Sequence, residues 1–218
     1  MTKYSNISSF QFISNDFSEL NELEQIQEVC KAGARWVQLR LKNRPEQDIL
    51  QLGRQAAEIC RQYQATLIIN DHAHLIKEIR AEGVHLGKAD MSPIEARKLL
   101  GSDLIIGGTA NSMADVRQLY KAGVDYIGLG PFRFTHTKKK LSPVLGLQGY
   151  SEIIKQCREE DIHLPIVAIG GINLEDVPSL ISCGLHGIAL SSSITSAEDI
   201  IHTTKNYLKQ ITPPSCKN

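Results

Sequence analysis

Apolar and polar positions follow two rhythms along this chain, and the two take turns. Compact apolar runs at Phe10–Ser14, Trp36–Leu41, Thr66–Asn70, Val84–Leu86, Leu104–Gly107, Tyr126–Gly130, Ile166–Ile169 and Gly187–Ser191 read as eight strands. They are rich in Ile, Val and Leu rather than strictly alternating, as expected of parallel strands covered on both faces. Between them lie stretches with helical spacing. In Leu23–Ala32, for example, Leu23, Ile26 and Val29 recur at three-residue steps. Glu46–Tyr63, His72–Ala81, Pro93–Leu100, Ala114–Ala122, Tyr150–Glu160, Leu174–Cys183 and Ala197–Gln210 behave alike. Gly33, Gly83, Gly123 and Gly184 each separate a helical stretch from the next strand, where glycine accepts the left-handed backbone that closes a helix. Pro93 suits a first helical turn. Eight βα units predict an α/β fold, a (β/α)8 TIM barrel over residues 1–211; an open doubly wound sheet is the alternative. Residues 212–218, with Pro213-Pro214, read as a flexible tail.

Composition narrows the function classes. The 218 residues suit one domain, and 42% hydrophobic with 22% charged residues is an ordinary globular balance. A formal net charge of zero leaves no global field to attract nucleic acid or an anionic membrane, so local charge must hold any bound anion. No apolar run approaches a spanning helix, and the polar Met1–Asn6 does not read as a signal segment. Cys30, Cys60, Cys157, Cys183 and Cys216 form no C-x-x-C pair, which points to reduced, mostly buried thiols and a cytoplasmic setting. The expected partners are small molecules, with neither nucleic acid nor membrane, and a homodimer stays open.

A barrel of this kind carries its site at the C-terminal strand ends. After strand two, alternation sends Gln38, Arg40 and Lys42 to one side, an arrangement suited to an anion. Asp71 and Asp90 follow strands three and four; oxygen ligands on neighbouring strand ends, completed by phosphate, suit Mg²⁺, although each could instead cap a helix. His72 and His74 fall on different faces and are expected at the surface or behind the site. Thr109 could donate to a ligand or cap the next helix. The long segment 131–148 carries Arg133, Thr135, His136, Thr137 and Lys138-Lys139-Lys140 and reads as a phosphate-gripping lid that excludes water. Gly170-Gly171 after strand seven and Ser191-Ser192-Ser193 after strand eight offer free backbone N–H groups to a phosphate.

The stretches "WVQLRLK", "LIINDH", "GVHLGKAD", "IIGGTAN", "GVDYIGLGPFRFTHTKKKLSPVLGLQG", "VAIGGIN" and "GIALSSSI", spread over residues 36–194, together resemble the thiamine phosphate synthase family. The resemblance implies a Mg²⁺-dependent transferase that joins a pyrimidine diphosphate to a thiazole phosphate and releases diphosphate. It implies that Gln38, Arg40, Lys42 and Asn70 contact the pyrimidine diphosphate and that Asp71 and Asp90 hold Mg²⁺. Thr135, Thr137 and Lys138 would line the diphosphate and thiazole phosphate region, while Gly171 and Ser192 would bind the thiazole phosphate; Thr109 is a further substrate-binding candidate. Arg40, Lys42 and Lys138 would stabilise the departing charge. Departures from the usual pattern are Thr109 for serine, His72 for arginine, Lys88 for glutamine, and "SNDF" for Thr-Asp-Arg after strand one. The last change puts pyrimidine-side contacts near Asn15 and Asp16 in doubt. Two rival readings are a thiazole phosphate tautomerase with His85 or His136 as base, and a non-catalytic phosphate sensor on the same barrel.

Overall fold

A computed structural model describes residues 7–134 and 143–211. Eight parallel strands close into a barrel in sequence order: β1 (Phe10–Ile13), β2 (Trp36–Leu39), β3 (Thr66–Asn70), β4 (Gly83–Leu86), β5 (Ile105–Ala110), β6 (Tyr126–Leu129), β7 (Ile166–Ile169) and β8 (Gly187–Leu190). The last closure pairs Phe10 with Ile188 and Phe12 with Leu190. Around them run α1 (Glu22–Lys31), α2 (Glu46–Gln62), α3 (Ile76–Ile79), α4 (Pro93–Leu100), α5 (Met113–Lys121), α6 (Gly146–Glu159), α7 (Val177–Ser182), α8 (Ser192–Thr195) and α9 (Ile200–Ile211). The closed barrel replaces the alternative of an open sheet.

Period-two alternation sorts the strand residues into two environments. Phe10, Phe12, Val37, Leu39, Leu67 and Ile69 belong to the large cluster packed under the helices. Ile13, Trp36, Ile68, Ile105, Tyr126, Val167 and Ala189 form a separate cluster inside the barrel. There the Trp36 ring meets Tyr126 edge-on, with centroids 4.7 Å apart. Tyr126 reaches the axis because β5 carries a glycine opposite it: a Cβ on Gly107 would lie 2.2 Å from Tyr126 Cζ.

The helices begin and end for local reasons. Asn21 caps α1 and Ser92 caps α4, each in a reciprocal capping box with a glutamate three residues on. Gly33, Gly123 and Gly184 have φ of 112°, 75° and 97°, as expected of helix-closing glycines. Gly83 does not. It opens β4, where a Cβ would lie 2.3 Å from the Ile105 carbonyl oxygen, and Arg80 with φ 63° makes the left-handed turn instead. The stretch expected as one helix over His72–Ala81 is a 3₁₀ turn at Ala73–Leu75 followed by the single turn α3. The helix α8 has no apolar period of its own and was not expected. Cys30, Cys60 and Cys157 are buried and Cys183 half-buried, all as free thiols; Cys216 and the tail 212–218 lie outside the described residues.

A buried ion pair ties the outer layer to the barrel. The Asp125 carboxylate accepts from Ile106 N–H at 2.8 Å and from Arg97 Nη2 at 2.6 Å. Asp125→Ala should cost about 3 kcal/mol, because it leaves the buried Ile106 N–H without its acceptor and takes the counter-charge from a half-buried guanidinium that keeps, among the described residues, only the Gly101, Leu104 and Gly123 carbonyls. Chemical denaturation would measure the loss, and a change under about 0.5 kcal/mol, typical of an ordinary surface site, would contradict it.

Candidate functional site

The strand ends enclose one cavity, lined among others by Gln11, Gln38, Arg40, Asn70, His85, Thr109, Gly171 and Ser192. Sequence separations of up to about 180 residues therefore close to a single mouth, as the barrel topology requires. Of the expected site residues, Gln38, Arg40, Asn70, Thr109, Gly171 and Ser192 line it. Thr135, Thr137 and Lys138, with His136 and the rest of the lysine run, lie outside the described residues.

One side of the mouth is acidic. Asp71 and Asp90 come from different loops, yet their carboxyls share a hydrogen bond, and Lys42 Nζ reaches the Asp71 carboxylate. Gly87 N–H donates to Asp90 Oδ2 at 2.7 Å, and Asp71 N–H donates to the His85 carbonyl at 2.9 Å. Asp71 holds φ 69°, a left-handed conformation that Asp tolerates better than most residues. Two carboxyls this close cannot both ionise freely. Burial and the neighbouring Asp71 push Asp90 above the usual carboxylate value. Burial also presses Asp71 upward, but the hydrogen bond with Asp90 and the Lys42 ammonium outweigh it, so Asp71 lies below the usual value. Paired hard carboxylate oxygens from neighbouring strand ends fit a Mg²⁺ ion. No group of three or more His, Cys, Asp and Glu side chains that could hold a metal ion occurs among the described residues.

The opposite side is built of backbone. Gly170 and Gly171 have φ of 95° and 68°, conformations that L side chains rarely adopt. Arg133 braces this turn: its guanidinium donates to Gly171 O at 2.9 Å and to both Asp176 oxygens at 2.5 and 2.6 Å. Ser193 Oγ donates to Ile172 O at 2.7 Å, so that hydroxyl is committed to structure.

The residues left in doubt have clear positions. Asn15 is buried and faces β8 and α8: its amide donates to Ser191 Oγ at 2.9 Å and Thr195 Oγ1 at 2.7 Å, while its oxygen accepts from Phe17 N–H. Lys88 pairs with Asp115, whose carboxylate also accepts from Asn111 N–H and Ser112 Oγ. His74 pairs with Glu46 at the surface, and His72 is half-buried, with burial pulling its imidazole below the ordinary histidine value. Thr109 is no helix cap, since Ser112 caps α5; it lies on β5 and faces the cavity.

Sequence reasoning missed Gln11, and it considered His85 only as a base. Both belong to a polar chain inside the barrel. Gln38 Nε2 approaches Gln11 Oε1 at 3.5 Å, and Gln11 Nε2 donates to the Tyr126 hydroxyl at 3.2 Å. Tyr126 lies 3.0 Å from His85 Nδ1, and His85 Nε2 lies 2.9 Å from Thr109 Oγ1. Burial pushes the Tyr126 phenol well above its ordinary value, against the pull of the Gln11 and Gln38 amides. The signal for Gln11 was a lone amide between Phe10 and Phe12, a polar inward position on an otherwise apolar strand.

The Arg133–Asp176 brace makes a pH prediction. The guanidinium holds the Asp176 carboxyl below the usual range, with burial opposing. A carboxyl depressed on folding adds stability above its unfolded value and loses it as pH falls through the folded one. Asp176→Asn should therefore lower Tm at neutral pH, and the gap should narrow on acidification. A gap that stayed constant down to low pH would contradict it.

Comparison with known proteins finds a match to the family described as thiamine monophosphate synthase over residues 10–194. The thiamine-phosphate synthase of Phocaeicola vulgatus is 51% identical over 198 residues, covering 91% of this chain and 95% of that one. The thiamine-phosphate synthase of Bacteroides thetaiotaomicron is 47% identical over 200 residues, covering 92% and 96%. Among solved structures, thiamine phosphate pyrophosphorylase from Pyrococcus furiosus superposes with a TM-score of 0.84 at 30% identity, covering 94% of this chain and 96% of that one.

Proposed function

The chain belongs to the thiamine monophosphate synthase family, and on that premise we propose that it is a transferase joining 4-amino-2-methyl-5-hydroxymethylpyrimidine diphosphate to a thiazole phosphate, giving thiamine phosphate and diphosphate. What supports this reading is the different character of the two sides of the strand-end mouth, which suits two anions. An acidic pair with Lys42 and Arg40 stands on one side; the Gly170–Gly171 turn and Ser192 stand across from it.

Asp71 and Asp90 would hold Mg²⁺, which supplies positive charge to the diphosphate oxygens when bound. The protein's own groups do the rest. Arg40, Lys42 and Lys138 oppose the negative charge that builds as the C–O bond to diphosphate breaks. Gln38 and Asn70 orient the pyrimidine, whose ring nitrogens can spread the positive charge left on the methylene carbon. Gly171 and Ser192 hold the thiazole phosphate so that the thiazole nitrogen attacks that carbon. No protein nucleophile is needed. Of the two histidines the tautomerase reading would use as base, His85 already has both ring nitrogens facing hydroxyls, and His136 lies outside the described residues.

The test supplies both substrates with and without Mg²⁺ and follows diphosphate release together with formation of the coupled product. The expected result is stoichiometric release of both, abolished by chelation. Turnover of the thiazole phosphate alone would favour the isomerase, and tight binding without product would favour the sensor.

A further inference from the structure

We propose that Tyr126 is a positioning residue that acts through His85 to make Thr109 a hydrogen-bond donor into the barrel mouth. The inference rests on the synthase reading for the importance of that donor, but not for its existence.

Tyr126 is fully buried, so its hydroxyl cannot turn to bulk water. Gln11 Nε2 donates to its oxygen at 3.2 Å. An oxygen already receiving an amide proton has one role left for its own proton, which is to be given away. Among the described residues, the acceptor in reach is His85 Nδ1, 3.0 Å distant. A ring whose Nδ1 accepts carries its proton on Nε2. That proton points at Thr109 Oγ1, 2.9 Å away. Thr109 thus accepts from the ring, and its own hydroxyl proton is left for an acceptor atom of whatever occupies the cavity that Thr109 lines. With the ring protonated on Nδ1 instead, Thr109 would spend its proton on Nε2 and present only lone pairs.

Two glycines indicate that the barrel is shaped around this pair. A Cβ at Gly107 would overlap the Tyr126 ring, with Cζ 2.2 Å away, and one at Gly128 would come within 3.2 Å of His85 Cε1. Both sit on strands where a β-branched residue would otherwise be the usual choice.

The test reads the ring directly. Full-length protein labelled with ¹⁵N in its imidazoles, without substrate, is examined by two-bond nitrogen–proton correlation; His85→Gln identifies which of the seven histidine patterns belongs to His85. The expected result is a proton on Nε2 and a bare Nδ1. A ring protonated on Nδ1, alone or together with Nε2, overturns the proposal. In Tyr126→Phe, which keeps the aromatic packing, the single pattern should give way to a mixture, and kcat/KM should fall in proportion to the share of rings protonated on Nδ1. Thr109→Val should show the full loss, about tenfold, the scale of one ligand hydrogen bond; Thr109→Ser should restore it, and the Tyr126→Phe/Thr109→Val pair should lose no more than Thr109→Val alone. Losses that simply multiply would mean that Tyr126 does not act through Thr109. If coupling activity is absent altogether, the functional reading fails, and the ring pattern still decides this one.

Discussion

Asp71→Asn is expected to reduce coupling about a thousandfold while leaving the fold and its thermal midpoint little changed. Asparagine keeps the shape and, like aspartate, accepts the left-handed backbone at φ 69°. The Asp71 N–H bond to the His85 carbonyl is a backbone contact and survives the change. What disappears is the formal charge. The Lys42 ammonium, itself partly exposed, loses its partner at little cost to stability. Removing half of the acidic pair should raise the Mg²⁺ concentration needed for half-maximal rate, on top of the lost electrostatic stabilisation of the leaving group. The measurement is diphosphate release across a Mg²⁺ titration, beside a thermal melt. Near-normal turnover at ordinary Mg²⁺ would remove Asp71 from the metal site. A collapsed melt would instead show that the charge serves folding.

The second large effect is expected at Gly171. At φ 68° an alanine pays the left-handed penalty of about 1–2 kcal/mol. Its Cβ would also lie 2.8 Å from Arg133 Cβ, and Arg133 is pinned by Asp176 and by Gly171 O itself. The neighbour therefore cannot move aside without breaking the brace. Gly171→Ala should lose about 2 kcal/mol of stability, combining the backbone and crowding costs. It should also raise KM for the thiazole phosphate at least about tenfold, with a smaller effect on KM for the pyrimidine diphosphate, since the change alters the amide turn and not the acidic side. Equal increases for both substrates would argue that the two anions do not occupy opposite sides of the mouth.

Much of this was legible in residue order. Eight apolar runs separated by helical stretches gave the barrel, because parallel strands buried on both faces must be apolar and each must be followed by a crossover helix. Once the barrel was inferred, its C-terminal mouth followed, and reading the strand ends in turn picked out Gln38, Arg40, Asn70, Thr109, Gly171 and Ser192, all of which line the cavity. Charge and side-chain type alone singled out Asp71 and Asp90.

Other features were decided only by tertiary contacts. Nothing local distinguishes Gly83 from Gly123, yet one opens a strand beneath the Ile105 carbonyl and the other closes a helix. No periodicity announces α8, a single turn set beside Asn15 by hydrogen bonds from a loop about 180 residues away. Asp71 meets Lys42 and Asp90 and does not cap the turn that follows it, because those groups arrive from other strand ends. The route from Gln11 through Tyr126 and His85 to Thr109 joins β1, β6, β4 and β5 and exists only once the barrel closes. Sequence fixes which side chains each strand sends inward, through a period of two that every residue obeys. Which of them meet, and which way their protons run, depends on the register between strands, which no single segment contains.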